Sequence, residues 1–202
     1  MHPLSDAVPE LLEFDPLLMA NAKQLRYPAG RALFRCGDRP TSLFFILEGE
    51  AMLQRVTTEG TPVTLQRTNR GFLAEASLTT SAYHCDAVCK VDSKMLAFPV
   101  KELRNAIDRH APTRWAWINL LSMQSRQQRL RIERLAFNSL RDRLKHLVFT
   151  EGTVPGSYTM TGTRTALAGE LNVTPAALYR TLASLGAEGI VTASATTICW
   201  HG

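Results

Sequence analysis

The sequence predicts an α+β chain: a β-rich jelly roll at the N-terminal end, a long helix, and a winged helix-turn-helix at the C-terminal end. Three observations predict it. Residues 24 to 98 carry glycines at 30, 37, 49, 60 and 71, so turn signals return every seven to twelve residues between short apolar runs. Residues 112 to 137 lack that punctuation and repeat apolar side chains at spacings of three and four. Residues 161 to 185 read as two short helices joined by a tight turn, and two short β-rich runs follow them.

The opening Met1-His2-Pro3-Leu4-Ser5-Asp6 has neither the basic n-region nor the apolar h-region of a secretory signal, so none is expected. Residues 10 to 22 predict a short helix packed on the barrel. The strand-like runs are 32–34, 43–47, 51–56, 63–67, 87–91 and 94–98, a spacing that argues for an antiparallel barrel or jelly roll. From Pro99 the pattern turns helical. A short helix over 101–108 precedes a longer one that Pro112 opens and that runs to about Phe137. Along it Ile118, Leu121, Ser125, Gln128, Ile132 and Leu135 keep the a/d spacing of a coiled coil, which predicts a dimer interface with a polar centre at Ser125 and Gln128. A further helix over 138–150 belongs with the C-terminal segment. The expected organisation is a jelly-roll domain over 1–110, a dimerisation helix over 111–137 and a winged helix-turn-helix domain over 138–202, with a hinge near Phe137 and Asn138.

In the C-terminal segment Thr163 is an N-cap, and Leu167, Ala168 and Leu171 give the first helix its apolar side. Asn172 and Val173 make the turn. Thr174 caps the second helix, and Pro175 takes its first position, where a missing N–H costs nothing. Leu178, Leu182 and Leu185 face the core, leaving Tyr179, Arg180 and Ser184 outward, as a recognition helix requires. The competing reading of these residues is an ordinary helical hairpin in a core. The β-rich runs 190–192 and 197–200, around a small polar turn at 193–196, predict the wing.

Composition narrows the function. The chain has 202 residues, 45% apolar and 20% charged, enough for a globular protein with a sizeable core. No apolar run approaches the roughly 20 residues of a membrane span. Four cysteines (Cys36, Cys85, Cys89, Cys199) form no disulfide framework, and a reducing cytoplasm fits them. A net charge of +5 permits a polyanionic partner without requiring one. Arg109, Arg114, Arg126, Arg129, Arg131 and Arg134 crowd the central helix, which by itself is a solvated face. The five histidines are scattered, and no Gly-x-Ser-x-Gly, Walker A or His-Glu-x-x-His motif occurs, so no enzyme is expected.

The order of these parts resembles the CRP/FNR superfamily of bacterial transcription regulators from about Gln24 to Trp200. The residues that carry the resemblance are Tyr27-Pro-Ala-Gly30, Leu33-Phe-Arg-Cys-Gly-Asp38, Leu43-Phe-Phe-Ile-Leu-Glu-Gly49, Gly71-Phe-Leu-Ala-Glu75 and the helix-turn-helix. It implies a cyclic-nucleotide-binding-like jelly roll and a homodimer that binds double-stranded DNA at a palindrome, works with RNA polymerase and resides in the cytoplasm. By the resemblance Thr163, Arg164 and Thr174 hold DNA phosphates, and Arg180 reads a guanine through its O6 and N7. Pro175 and Ala176 stand where the family carries polar base-reading residues. Tyr179 stands where a very small residue is common; it is either a DNA contact or a half-buried aromatic on the helix flank.

The same resemblance frames what is sensed. The cAMP-responsive members carry Gly-Glu-Leu-Gly and then Arg-Ser-Ala, the Glu on the ribose and the Arg on the cyclic phosphate. Here Glu75-Ala76-Ser77 keeps the Glu, but Cys85 aligns with the Arg and Asp86 with the Ser. A cyclic phosphate would meet a carboxylate and lose its bidentate cation, so cAMP is not the expected ligand. Positions that contact adenine in that regulator fall near Gln128 and Arg129. The expected effector pocket is therefore Glu75, Ala76, Ser77, His84, Cys85, Asp86, Gln128 and Arg129, for a small molecule not yet identified. Two readings of His84-Cys85 stay open: a haem, metal or oxidisable thiol site, or a small apolar filler (Cys85, with Cys89) beside an outward histidine. The second is preferred, because neighbours on a strand point to opposite faces. An iron–sulfur cluster is not expected, since residues 1–35 hold no cysteine.

Overall fold

The computed structural model describes residues 8–202 except 59, 61 and 161. The opening run Met1 to Asp6, and Thr161 at the edge of the helix-turn-helix stretch, lie outside the described residues. The chain divides into two compact units, residues 1–120 and 121–202.

The first unit is a jelly roll of two four-stranded antiparallel sheets. One sheet has the order β1 (Lys23–Tyr27), β8 (Ser93–Pro99), β3 (Ser42–Glu48) and β6 (Gly71–Leu73). The other runs β2 (Ala32–Phe34), β7 (Asp86–Cys89), β4 (Ala51–Val56) and β5 (Pro62–Thr68). Two of these strands, β1 and β6, were not predicted. The first is polar at four of five positions (Lys23, Gln24, Arg26, Tyr27), and the second is three residues long, too short for a period to register. Leu43, Phe45, Ile46, Leu73, Cys89, Met95, Leu96 and Phe98, all at most 1% exposed, belong to the hydrophobic core of the jelly roll. Gly49 turns β3 into β4 at φ 95°, where a Cβ would come within 2.5 Å of the Asp92 carbonyl oxygen.

The expected helix over 10–22 is two pieces. A 3₁₀ turn, Pro9–Leu11, is followed by α1 (Pro16–Asn21), because Asp15 caps the backbone N–H of Leu17 at 2.8 Å and Pro16 opens a new helix. α2 (Val100–Arg109) then leads to α3 (Ala111–Ala136). The first turns of α3 belong to the jelly-roll unit. Trp117 meets Phe72 edge-on at 5.1 Å, and the fully buried Thr113 hydroxyl accepts from the Asp15 N–H at 2.7 Å.

The second unit begins within α3. It contains α4 (Leu140–Glu151), β9 (Ser157–Thr159), α5 (Arg164–Glu170), α6 (Pro175–Ala187), β10 (Val191–Ala193) and β11 (Thr197–Trp200). Its core is Leu144, Leu147, Val148, Met160, Leu167, Ala168, Leu171, Leu178, Leu182, Leu185, Val191, Ile198 and Trp200. β9 adds to the β10–β11 hairpin through β11, an unpredicted third strand of three residues. The elbow between α3 and α4 is pinned on several sides. Ser139 caps α4 by accepting from the Asp142 N–H, and Arg143 donates to the carbonyls of Phe137 (2.9 Å) and Leu171 (2.8 Å). Arg134, nearly fully buried, pairs with Glu151, and burial pulls its guanidinium below the usual arginine range.

Candidate nucleic-acid interface

The two short helices of the second unit are set by their caps. Thr163 Oγ1 accepts from the Ala166 N–H at 3.1 Å and starts α5; Thr174 Oγ1 accepts from the Ala177 N–H at 3.2 Å and starts α6. Between them Asn172 takes the left-handed conformation at φ 54°, which its short polar side chain tolerates. On α6 the Leu178, Leu182 and Leu185 side chains are at most 5% exposed. Thr174, Pro175, Ala176, Tyr179 and Arg180 are exposed to solvent. Burying three leucines is worth roughly 5–9 kcal/mol at about 1.5–3 kcal/mol each, which fixes the rotation of α6 and hence which residues point outward.

Arg164, at the first position of α5, stacks on the Tyr179 ring at 5.2 Å and donates from Nη2 to the Ser194 carbonyl at 2.6 Å. One guanidinium thus links the starting turn of α5, the outer face of α6 and the β10–β11 turn. That gives Tyr179, which is 49% exposed, a structural partner the sequence did not reveal. Arg180 forms no ion pair with an acidic side chain among the described residues. It lines a shallow cleft with Arg141, Thr181, Ser184, Leu185 and Glu188. Arg141 pairs with Glu188 at 2.9 Å and Ser184 donates to the same carboxylate at 3.1 Å, so the acid nearest Arg180 along the helix is already engaged.

The residues expected to form an effector pocket fall in two groups. Glu75, Ala76 and Ser77 begin a 3₁₀ turn, Glu75–Thr79, entered through Ala74 at φ 69°. Ser77 is buried and Ala76 exposed. Cys85 is buried at 1% exposure while its neighbour His84 is exposed, and both lie in a bend just before β7 rather than on the expected strand. Burial pushes the Cys85 and Cys89 thiols up. The Asp86 carboxylate turns to the 35–38 turn, accepting from the Cys36 N–H at 2.8 Å and from Arg35 Nη1 at 3.0 Å. Gln128 and Arg129 belong to the second compact unit, exposed on α3. No group of three metal-ligating side chains occurs among the described residues.

Residues 24–110 match the family model described as a cyclic nucleotide-binding domain. Solved structures extend the likeness over both units. The c-di-GMP responsive global regulator CLP of Xanthomonas campestris is 20% identical at a TM-score of 0.63, covering 96% of this chain and 99% of its own. FixK2 of Bradyrhizobium japonicum is 13% identical at 0.67, covering 90% and 93%. A transcriptional regulator of the CRP/FNR family from Thermus thermophilus is 22% identical at 0.54, covering 89% and 94%. The chain has a CRP/FNR-type fold. No curated protein sequence matches it.

Within this CRP/FNR-type fold the seam on α3 is open to solvent. Ile118, Leu121, Ser125, Gln128 and Ile132 are all exposed and Leu135 is half-buried, with Trp115 and Met123 also outward. Sequence reasoning missed three residues that the fold brings to the candidate sites. Arg55 donates through Nε (3.2 Å) and Nη2 (2.9 Å) to the His84 carbonyl, and Arg35 meets Asp86. Arg141 reaches Glu188 from 47 residues away. None has a sequence signature, since each is an isolated cation whose partner is far along the chain.

Proposed function

We propose that this chain is a sequence-specific DNA-binding transcription regulator that acts as a homodimer on a palindromic operator. Its C-terminal unit works as a winged helix-turn-helix, with α6 as the recognition helix. One observation carries the reading: α6 buries Leu178, Leu182 and Leu185 and leaves Thr174, Pro175, Ala176, Tyr179 and Arg180 exposed, with Arg180 engaged by no acid among the described residues. In this reading Arg180 reads a guanine in the major groove, and Thr163, Thr174 and the free N–H groups of Arg164 hold phosphates. Ala176 contributes only apolar contact, as with a thymine methyl. The exposed α3 seam (Ile118, Leu121, Ser125, Gln128, Ile132, Leu135) joins the two copies, RNA polymerase is a partner, and the cytoplasm is the site of action.

The signal we propose is not cAMP. The position of the phosphate-binding arginine holds a buried thiol, and the next residue is a carboxylate committed to the 35–38 turn. A haem held by His84 and Cys85 together is disfavoured by the burial of Cys85 beside an exposed His84. A signal at the jelly roll would act by binding one arrangement of the dimer better than another. Selection of bound duplexes from a random DNA library tests the reading. The expected product is a two-fold symmetric site with half-sites about one helical turn apart; enrichment of no sequence would overturn it.

A further inference from the structure

Four cysteines are free, and two of them are brought together by a turn that the proposed function does not use. Cys36 is exposed at the second position of a turn closed by the Asp38 N–H donating to the Arg35 carbonyl at 3.1 Å. The turn is bonded to the 83–86 segment on both sides of Cys36. The Cys36 N–H itself donates to Asp86 Oδ1 at 2.8 Å, and Arg35 Nη1 to Asp86 Oδ2 at 3.0 Å. On the other flank the Gly37 N–H donates to the Tyr83 carbonyl and the Tyr83 N–H to the Asp38 carbonyl, both at 2.8 Å. Cys85 lies between Tyr83 and Asp86, the two residues that hold the turn. The β2–β7 pairing ends at Phe34 opposite Ala87, and beyond it the bonds of Cys36, Gly37 and Asp38 to Asp86 and Tyr83 hold the two segments side by side. A disulfide spans Cα atoms up to about 7 Å apart. Burial pushes the Cys85 thiol up, with Arg55 opposing the shift.

We propose that Cys36 and Cys85 form a reversible disulfide when the protein meets an oxidant of the peroxide class. The exposed Cys36, as thiolate, attacks one peroxide oxygen; the O–O bond breaks, and with one proton a Cys36 sulfenic acid and water (or an alcohol) result. The Cys85 sulfur then attacks the Cys36 sulfur, its own proton leaving with the departing hydroxide as water. Each sulfur gives up one electron overall, and the peroxide takes both. The division of labour follows from exposure: Cys36 is reached first from solvent, and Cys85 resolves from inside. Cys89 is buried beyond it on β7, and Cys199 sits in the other compact unit.

The inference stands apart from DNA binding, because it is read on the protein alone. Full-length protein is treated with hydrogen peroxide, remaining thiols are blocked with N-ethylmaleimide, and non-reduced peptides are analysed by mass spectrometry. The expected result is a peptide pair linked through Cys36 and Cys85, lighter by two hydrogens and released by dithiothreitol, with Cys89 and Cys199 alkylated. In Cys85→Ser the Cys36 sulfenic acid should persist and be trapped by dimedone. The proposal is overturned if wild-type Cys36 runs on to sulfinic acid while Cys85 stays a thiol, or if the only linkage found joins Cys36 of two copies.

Discussion

Replacing Asp86 with Ala removes the carboxylate that holds the 35–38 turn, and the structure sets the size of the effect. The bond from the Cys36 N–H, 2.8 Å long, has a charged acceptor, a class worth about 1.5–3 kcal/mol. The second contact is weaker. Arg35 is 61% exposed at its side chain, so solvent screening limits the pair to at most about 1 kcal/mol. Together the loss should be about 2–4 kcal/mol for the jelly-roll unit. At ~4 °C per kcal/mol for a unit of this size, that is a fall in Tm of roughly 8–15 °C. Asp86→Asn keeps one acceptor oxygen without the charge and should lose about half as much. Calorimetric unfolding of the full chain, with hydrogen exchange at the Cys36 amide, reads both quantities. A change below ~0.5 kcal/mol for Asp86→Ala would show that the backbone bonds between Gly37, Asp38 and Tyr83 hold the turn unaided, and the reasoning would fail.

Other consequences are simpler. Leu147 is fully buried in the C-terminal core, so Leu147→Ala should cost about 2.7–5 kcal/mol in urea unfolding followed through the second unit; a loss under about 1 kcal/mol, by the same scale, would mean the site collapses around the gap. Gly49→Ala forces a Cβ into the Asp92 carbonyl and the Ser93 side chain at a positive φ, and should destabilise the jelly roll by more than about 2 kcal/mol. A neutral result in calorimetry would contradict the tight β3–β4 crossing. Burial pushes the phenols of Tyr83 and Tyr158 above their ordinary value of 10.0. Folding therefore favours the protonated phenol, and this contribution is complete below about pH 10 and lost as pH rises through the folded values. Denaturation midpoints measured from about pH 8 to 11.5 should fall only at the alkaline end; a rise there would reverse the sign.

Much of this was legible in the sequence where local chemistry and periodicity agreed. Thr163, Thr174 and Pro175 marked the two helix starts because caps act within one turn, and the Leu178, Leu182, Leu185 spacing gave the buried face of α6. The strands with alternating or continuous apolar runs were found for the same reason. What escaped lacked such a signal. β1 is written mostly in polar residues and is held by its pairing with β8, while β6 and β9 are only three residues each. The single helix expected over 10–22 failed at Asp15-Pro16, a cap-and-start pair that outweighed the apolar run around it. At the candidate interface, the partnership of Arg164 with Tyr179 and Ser194 joins residues up to 30 positions apart, and only the packed fold brings them together. On the sensor side, Asp86 read as a carboxylate facing a ligand until the fold showed it bound to the Cys36 amide.

The most direct test of the central claim is the affinity of wild-type and Arg180→Ala protein for the selected operator, measured across salt concentration by fluorescence anisotropy. The account predicts that wild-type binding weakens steeply and linearly on a log–log scale as salt rises. Arg180→Ala should lose about 1–3 kcal/mol for each half-site on the operator and discriminate less at the guanine position, while keeping a folded dimer and its weak binding to unrelated DNA. Equal operator affinity for the two proteins, or wild-type binding that salt leaves unchanged, would contradict it.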